Sequence, residues 1–87
     1  MKTIFDLMEC FAEAIENDAN FFAVVIEIEG CDGKELIINP AENFEYKLDY
    51  YNRNYNEDLT LQFSKSVRIV DFTWGDTIED IADSLEY

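Results

Sequence analysis

Leu36-Ile37-Ile38-Asn39-Pro40-Ala41-Glu42-Asn43-Phe44 changes character in its middle, and the fold depends on whether the chain beyond it is helix or strand. The first residues read as the end of an apolar strand. Asn39 is a good helix N-cap, Pro40 suits the first helical position, and Glu42, three residues after the cap, has the reach to return to the cap's amide. Beyond it two periods compete. Read as a helix, Ala41, Phe44, Leu48, Tyr51 and Tyr55 form one stripe at steps of three and four. Read as a strand, Phe44, Tyr46, Leu48 and Tyr50 alternate with Glu45, Lys47 and Asp49. The β-propensity of Phe and Tyr favours the strand. The capping signal and the longer periodic run favour the helix, which is the preferred reading.

Outward from this centre, the N-terminal side is clearer. Thr3 caps a helix, with Asp6 three residues on, and Ile4, Leu7, Met8, Phe11 and Ile15 give its apolar stripe. Asn17-Asp18-Ala19-Asn20 breaks that helix. Phe21 to Glu29 alternates as a strand, with Phe22, Val24, Ile26 and Ile28 on one side; Gly30-Cys31-Asp32-Gly33 turns the chain, and Lys34 to Asn39 returns as the second arm of a β-hairpin. On the C-terminal side, Leu59 to Phe63 reads as a strand and Ser64-Lys65-Ser66 as a turn. Val67 to Trp74 is the expected central strand, with Val67 and Ile69 on one side and Arg68, Val70, Phe72 and Trp74 on the other. Gly75 ends it. Asp76 is expected to cap a last helix, with Glu79 three residues on and Ile78, Ile81, Ala82 and Leu85 as its buried stripe. The sequence therefore predicts one α+β domain, 1–87, with a small antiparallel sheet in the order α-β-β-α-β-β-α. A strand at the centre would give the alternative α-β-β-β-β-β-α meander.

Charge is the outlier in the composition. Twenty acids stand against six bases, with no histidine, for a net charge of −14, while 48% of the chain is hydrophobic and a core is expected. That excess opposes binding to nucleic acid or an anionic membrane surface, and favours basic protein surfaces as partners. The acids are also patterned. Asp6, Glu9, Glu13 and Glu16 recur at steps of three and four on the side of the first helix away from its apolar stripe, and no base answers them. Their spacing amounts to a row of carboxylates about 5 Å apart along the axis. Asp76, Glu79, Asp80, Asp83 and Glu86 put five carboxylates at the last helix, the first three where its dipole favours them, and no base follows Arg68. A solvated face explains such rows as simply as a binding surface does. In the central helix, Glu45 and Asp49 lie beside a ridge of Tyr46, Tyr50 and Arg53, which either caps the core's edge or offers rigid anchor area to a partner.

Catalytic signals are missing. The absence of histidine removes the usual general base near neutral pH, and the three glycines form no phosphate loop. Asn52 to Asp58 has the alternating oxygen donors of a calcium loop, but Glu57 stands where that loop needs glycine and Phe63 where it needs a bidentate acid. Asp32 with Glu45-Tyr46-Lys47 has the letters of a nuclease metal site, a pattern too short to carry weight. No enzyme activity, cofactor or metal is expected. Cys10 and Cys31 lack metal-ligand spacing, and no run is long and apolar enough for a signal peptide or a bilayer span. A cytoplasmic setting is expected.

The run Ile37-Ile38-Asn39-Pro40-Ala41-Glu42-Asn43-Phe44, continued by Lys47-Leu48-Asp49-Tyr50-Tyr51 and Tyr55-Asn56-Glu57-Asp58-Leu59, resembles segments of small uncharacterised phage and mobile-element proteins, over about a quarter of the chain. In size, acidity and lack of histidine the chain also resembles the anti-CRISPR and DNA-mimic inhibitors that such elements carry. That resemblance implies an inhibitor, acting in the host cytoplasm, that occupies a basic nucleic-acid channel of a defence enzyme such as a CRISPR effector nuclease. Asp6, Glu9, Glu13, Glu16, Glu45, Asp49, Asp76, Glu79, Asp80, Asp83 and Glu86 would then stand in for phosphates, and Tyr46 and Tyr50 would serve as anchors. The alternative is a small phage structural or assembly protein acting as a homo-oligomer through the tyrosine ridge.

Overall fold

A computed structural model describes residues 2–85 and has the expected α+β architecture. Its elements are α1 (Ile4–Glu16), β1 (Phe21–Ile28), β2 (Lys34–Pro40), a 3₁₀ turn (Ala41–Asn43), α2 (Phe44–Asn54), β3 (Thr60–Leu61), β4 (Ser64–Gly75) and α3 (Ile78–Leu85). One antiparallel sheet runs β2-β1-β4-β3. The centre is helical, so the five-strand meander is not the fold.

The entry to α2 differs from expectation. Asn39 is not a cap: it lies inside β2, paired with Phe22, and is 4% exposed. The chain stays extended to Pro40, whose φ of −73° and ψ of 160° are strand-like, and turns through the 3₁₀ segment before α2 begins. Cross-strand pairing with β1 continues to Pro40↔Phe21, and this ladder outweighs a local capping preference. The helical stripe is otherwise as read. Phe44, Tyr51 and Tyr55 are buried and Leu48 packs against the core, while Ala41 is exposed.

α1 and α2 share one face of the sheet. Phe11 of α1 stacks on Phe22 of β1, ring centroids 3.6 Å apart and planes within 11°, and Phe44 meets both rings edge-on at 6.0 and 6.3 Å. Ile4, Leu7, Phe11 and Ala14 form the buried stripe of α1. Ile15, expected in that stripe, is 45% exposed, because the helix faces the sheet along Leu7 and Phe11, leaving residue 15 on the flank. Thr3 does open the helix: its N–H donates to Asp6 Oδ2 at 2.8 Å.

β4 is where strict alternation fails. Val25 pairs with Asp71 but Ile26 with Ile69, so Val70 is an extra residue at a bulge. The parity of the strand flips there. Val67, Ile69, Phe72 and Trp74 all join the one core, instead of dividing between two faces. β4 also starts earlier than expected, since Ser64 to Ser66 belong to the strand and the turn falls at Gln62-Phe63. β4 is an inner strand of the sheet, as expected, and β1 beside it is the more deeply covered, with Phe22 to Ile26 buried in unbroken succession. That pattern requires cover on both faces.

α3 supplies the second cover. Gly75 and Thr73 alternate away from Trp74 and Phe72; a Cβ at Gly75 would stand 3.0 Å from Asp80 Cβ, and Thr73 Oγ1 lies 2.8 Å from Ser84 Oγ. Ala23 and Val25, cross-strand from Thr73 and Asp71, are buried on this side with Ile81. The cap of α3 is Thr77, whose Oγ1 accepts the Asp80 N–H at 3.0 Å; Asp76 instead uses its carbonyl, which accepts from Asn20 Nδ2 at 3.1 Å. Starting one residue later turns Ile78 outward, 55% exposed. No helix among the described residues is long and apolar enough to cross a membrane.

Candidate functional site

Where the bases go decides which carboxylates remain free. Lys2 pairs with Asp71, Lys34 Nζ lies 4.0 Å from Glu27 Oε2, and Arg53 Nε is 3.1 Å from Asp49 Oδ1. Among the described residues these are the ion pairs, and none of them engages an acid of α1 or α3. Each is solvent-exposed and stabilises little. The bases sit on or beside the sheet and on α2, so α1 and α3 are left as uniformly acidic surfaces.

Asp6, Glu9, Glu13 and Glu16 are all exposed along the outer side of α1. Asp6 has a second occupation, since its Oδ2 accepts from both the N–H and, at 3.2 Å, the hydroxyl of Thr3. Phe5, beside this row, is 63% exposed. On α3, Glu79, Asp80 and Asp83 are exposed, with exposed Asp76 just before the helix; Glu86 lies outside the described residues. The two rows do not meet. α1 covers the face of the sheet that carries Phe22 and Trp74, and α3 covers the face that carries Ala23 and Thr73.

α2 lies beside α1. Glu45 is exposed in its first turn, and Tyr46 is 71% exposed. Tyr50 is more constrained: its ring meets Tyr51 edge-on at 5.4 Å, and the Lys47 ammonium stands 5.1 Å from its centroid. Asp49 is paired with Arg53, one turn on. Under this ridge lies a pair of buried polar groups, Tyr51 and Asn39. Burial pushes the Tyr51 phenol up to about 12, against a smaller downward pull from the Asn39 amide beside it. Asn39 Nδ2 itself has no hydrogen-bond partner among the described residues. Asp58, by contrast, is drawn down by the hydroxyl and N–H of Thr60.

Two acids that sequence reasoning passed over as binding residues belong with this set. Between the end of α1 and the start of α2 lies an open groove of about 270 Å³, lined by Ala14, Ala41 and Phe44 and rimmed by Asp18, Glu42 and Glu45. Asp18 follows α1 with φ of 51°, the left-handed conformation usual just after a helix. Glu42 is released because Asn39 is not a cap, so its carboxylate has no amide to reach back to. Neither role is visible in a linear pattern, since the groove exists only once α1 and α2 are laid side by side. A larger concavity, about 780 Å³, is mixed in charge: Lys2 and Arg68 line it together with Asp6 of the α1 row.

Among the described residues no group of three or more His, Cys, Asp or Glu side chains is placed to hold a metal ion. Both cysteines are free; Cys31 is exposed, and burial pushes the Cys10 thiol up to about 11, with the Glu13 carboxylate adding to it. Compared with family models, curated proteins and solved structures, the chain matches none.

Proposed function

We propose that this chain is a non-enzymatic protein inhibitor that binds a basic nucleic-acid-binding surface of a host defence enzyme, with carboxylates in place of phosphates. The resemblance in size and charge to anti-CRISPR and DNA-mimic proteins points to a CRISPR effector nuclease as the target class, met in the host cytoplasm. One observation supports the reading above the rest: the carboxylates of α1 and α3 are exposed and, among the described residues, in no ion pair, in a chain whose few bases lie off both helices. Arg and Lys arrays that grip phosphate grip carboxylate by the same contacts. An RNA-guided nuclease presents such arrays along its DNA channel.

The two acidic faces lie on opposite sides of the sheet. A flat partner surface would engage one of them, and a channel that encloses the domain would engage both. Displacement of a fluorescent target duplex from guide-loaded effector nucleases tests the proposal. The expected result is competitive displacement that weakens as salt is raised. Simultaneous binding of chain and duplex, or an affinity indifferent to salt, would sink it. Paired charge reversals, E9K/E13K against D80K/D83K, identify the face in use, and loss of binding in neither pair would count against acidic mimicry.

A second reading, a homo-oligomeric structural or assembly protein, has its own observation. β2 is an outer strand of the sheet, it pairs with β1 without a bulge, and its middle is the apolar run Leu36-Ile37-Ile38, while Tyr46 on α2 is also exposed. Sedimentation at high concentration separates the two, since this reading requires a stable dimer or larger and the inhibitor reading does not.

A further inference from the structure

We propose that the groove between α1 and α2 receives an arginine side chain from a basic segment of the partner, an inference that rests on the inhibitor reading and places its specific contact. The groove joins two properties that the acidic helix faces lack together. Its floor is apolar, formed by Ala14, Ala41 and Phe44, and its rim carries Asp18, Glu42 and Glu45, none of which has an ion-pair partner among the described residues. No base lines it. The last turn of α1, which also holds no base, directs its negative dipole end to the same place.

This combination selects the occupant. A long cationic side chain lays its methylene stem on apolar surface and keeps its charged head at a polar rim. The carboxylates come from both walls: Asp18 follows α1, and Glu42 and Glu45, three residues apart, lie in the continuous run from the 3₁₀ turn into α2. A guanidinium has five donors in a planar fork and is weakly hydrated, which suits several carboxylates over an apolar floor; an ammonium is a compact and strongly hydrated point charge. Arginine is therefore the better fit. A second copy of this chain is a poor one, since the whole domain carries −14.

The test uses the full chain and a fluorescein-labelled hexapeptide of alternating arginine and alanine, with its lysine counterpart, titrated at low salt. Three variants carry the argument. D18N/E42Q/E45Q removes the rim's charge. E9Q/E79Q/D83N removes as much charge from the outer faces of α1 and α3. A41W leaves net charge untouched and fills the groove from an exposed position whose backbone N–H still donates to the Asn20 carbonyl. Far-UV circular dichroism checks that each is folded. The expected result is a loss of about tenfold or more for the rim triple and for A41W, a much smaller loss for the outer triple, and tighter binding of the arginine peptide than of the lysine peptide. Equal losses in both triples, or wild-type binding by A41W, overturn the groove and leave the inhibitor reading standing. Equal affinity for the two peptides overturns the choice of arginine. Failure of every basic peptide to bind the wild-type chain removes the inhibitor reading and the groove with it.

Discussion

Replacing Glu13 by Lys should make this protein more stable, and the size of the gain measures how much its acidic helix costs. Glu13 lies four residues after Glu9 and three before Glu16, on the exposed side of α1, with no base on the helix. Each like pair at such spacing costs about 0.2–0.5 kcal/mol, and an opposite pair gains about as much. The substitution converts two repulsive pairs into attractive ones, a swing of about 1–2 kcal/mol. A cation in the last helical turn adds about 0.3 kcal/mol or more through the dipole. For a domain of this size each kcal/mol moves the melting temperature by about 4–8 °C. Thermal melts followed by circular dichroism should therefore show E13K melting roughly 5–18 °C above wild type at low salt. E13Q, which removes repulsion without adding attraction, should gain about half of that. Both gains should shrink in high salt, as the screening length falls from about 10 Å at 0.1 M to about 3 Å at 1 M. If E13K melts at or below wild type in low salt, or if its gain ignores salt, the row is no electrostatic burden. The inference from unpaired acids to a waiting partner would then lose its premise.

Phe11→Ala removes the ring stacked on Phe22 and wedged against Phe44, and should cost about 3–5 kcal/mol, enough to leave much of an 87-residue chain unfolded in equilibrium measurements. Alkaline pH should destabilise the fold: the buried Tyr51 phenol, up at about 12, keeps its proton where the unfolded chain has already ionised near 10. That contribution is whole below pH 10 and is lost as pH rises towards 12, about 2–3 kcal/mol in all, and urea titrations should show the fall in wild type and a flatter profile in Tyr51→Phe. Thr77→Ala should cost about 1 kcal/mol by removing the cap of α3, while Asp76→Ala changes stability by a few tenths at most; the reverse order in denaturant melts would restore Asp76 as the cap.

The fold was legible where one period ran unopposed, and less so where chain neighbours in space overruled it. α1, the hairpin and α3 follow from steps of three and four or of two, bracketed by strong breakers such as Asn17-Asp18 and Gly30 to Gly33. Asn39 shows the limit. Its local chemistry is that of a cap, but β1 lies alongside, and the register Phe22↔Asn39 takes the residue into the sheet. The result is an amide buried beside the hydroxyl of Tyr51 and not exposed at a helix start, a placement that no local preference would select. Val70 is a second case. A bulge is one residue without a signature, yet it decides that Ile69 and Phe72, three apart in sequence, belong to the same core.

The candidate site divides along the same line. That α1 and α3 carry unanswered acids was readable from helical spacing alone, because exposure follows once the apolar side is known. Their relation to each other was not, because it depends on which face of the sheet each helix covers. The bulge in β4 and the closeness of Gly75 to Asp80 settle that, and they put the two rows back to back. This changes what the charge can do. Opposed faces share no single contact surface, whereas in the α1–α2 groove acids from separate elements converge on apolar ground with no base among them. There Asp18 and Glu42, a helix breaker and a failed capping partner in the linear reading, stand beside Glu45. Charge on the outer helix faces acts at a distance and is screened; charge around an apolar floor acts at contact, where displaced water strengthens it. Steering by the faces and recognition by the groove are therefore separable, and they should respond differently to salt.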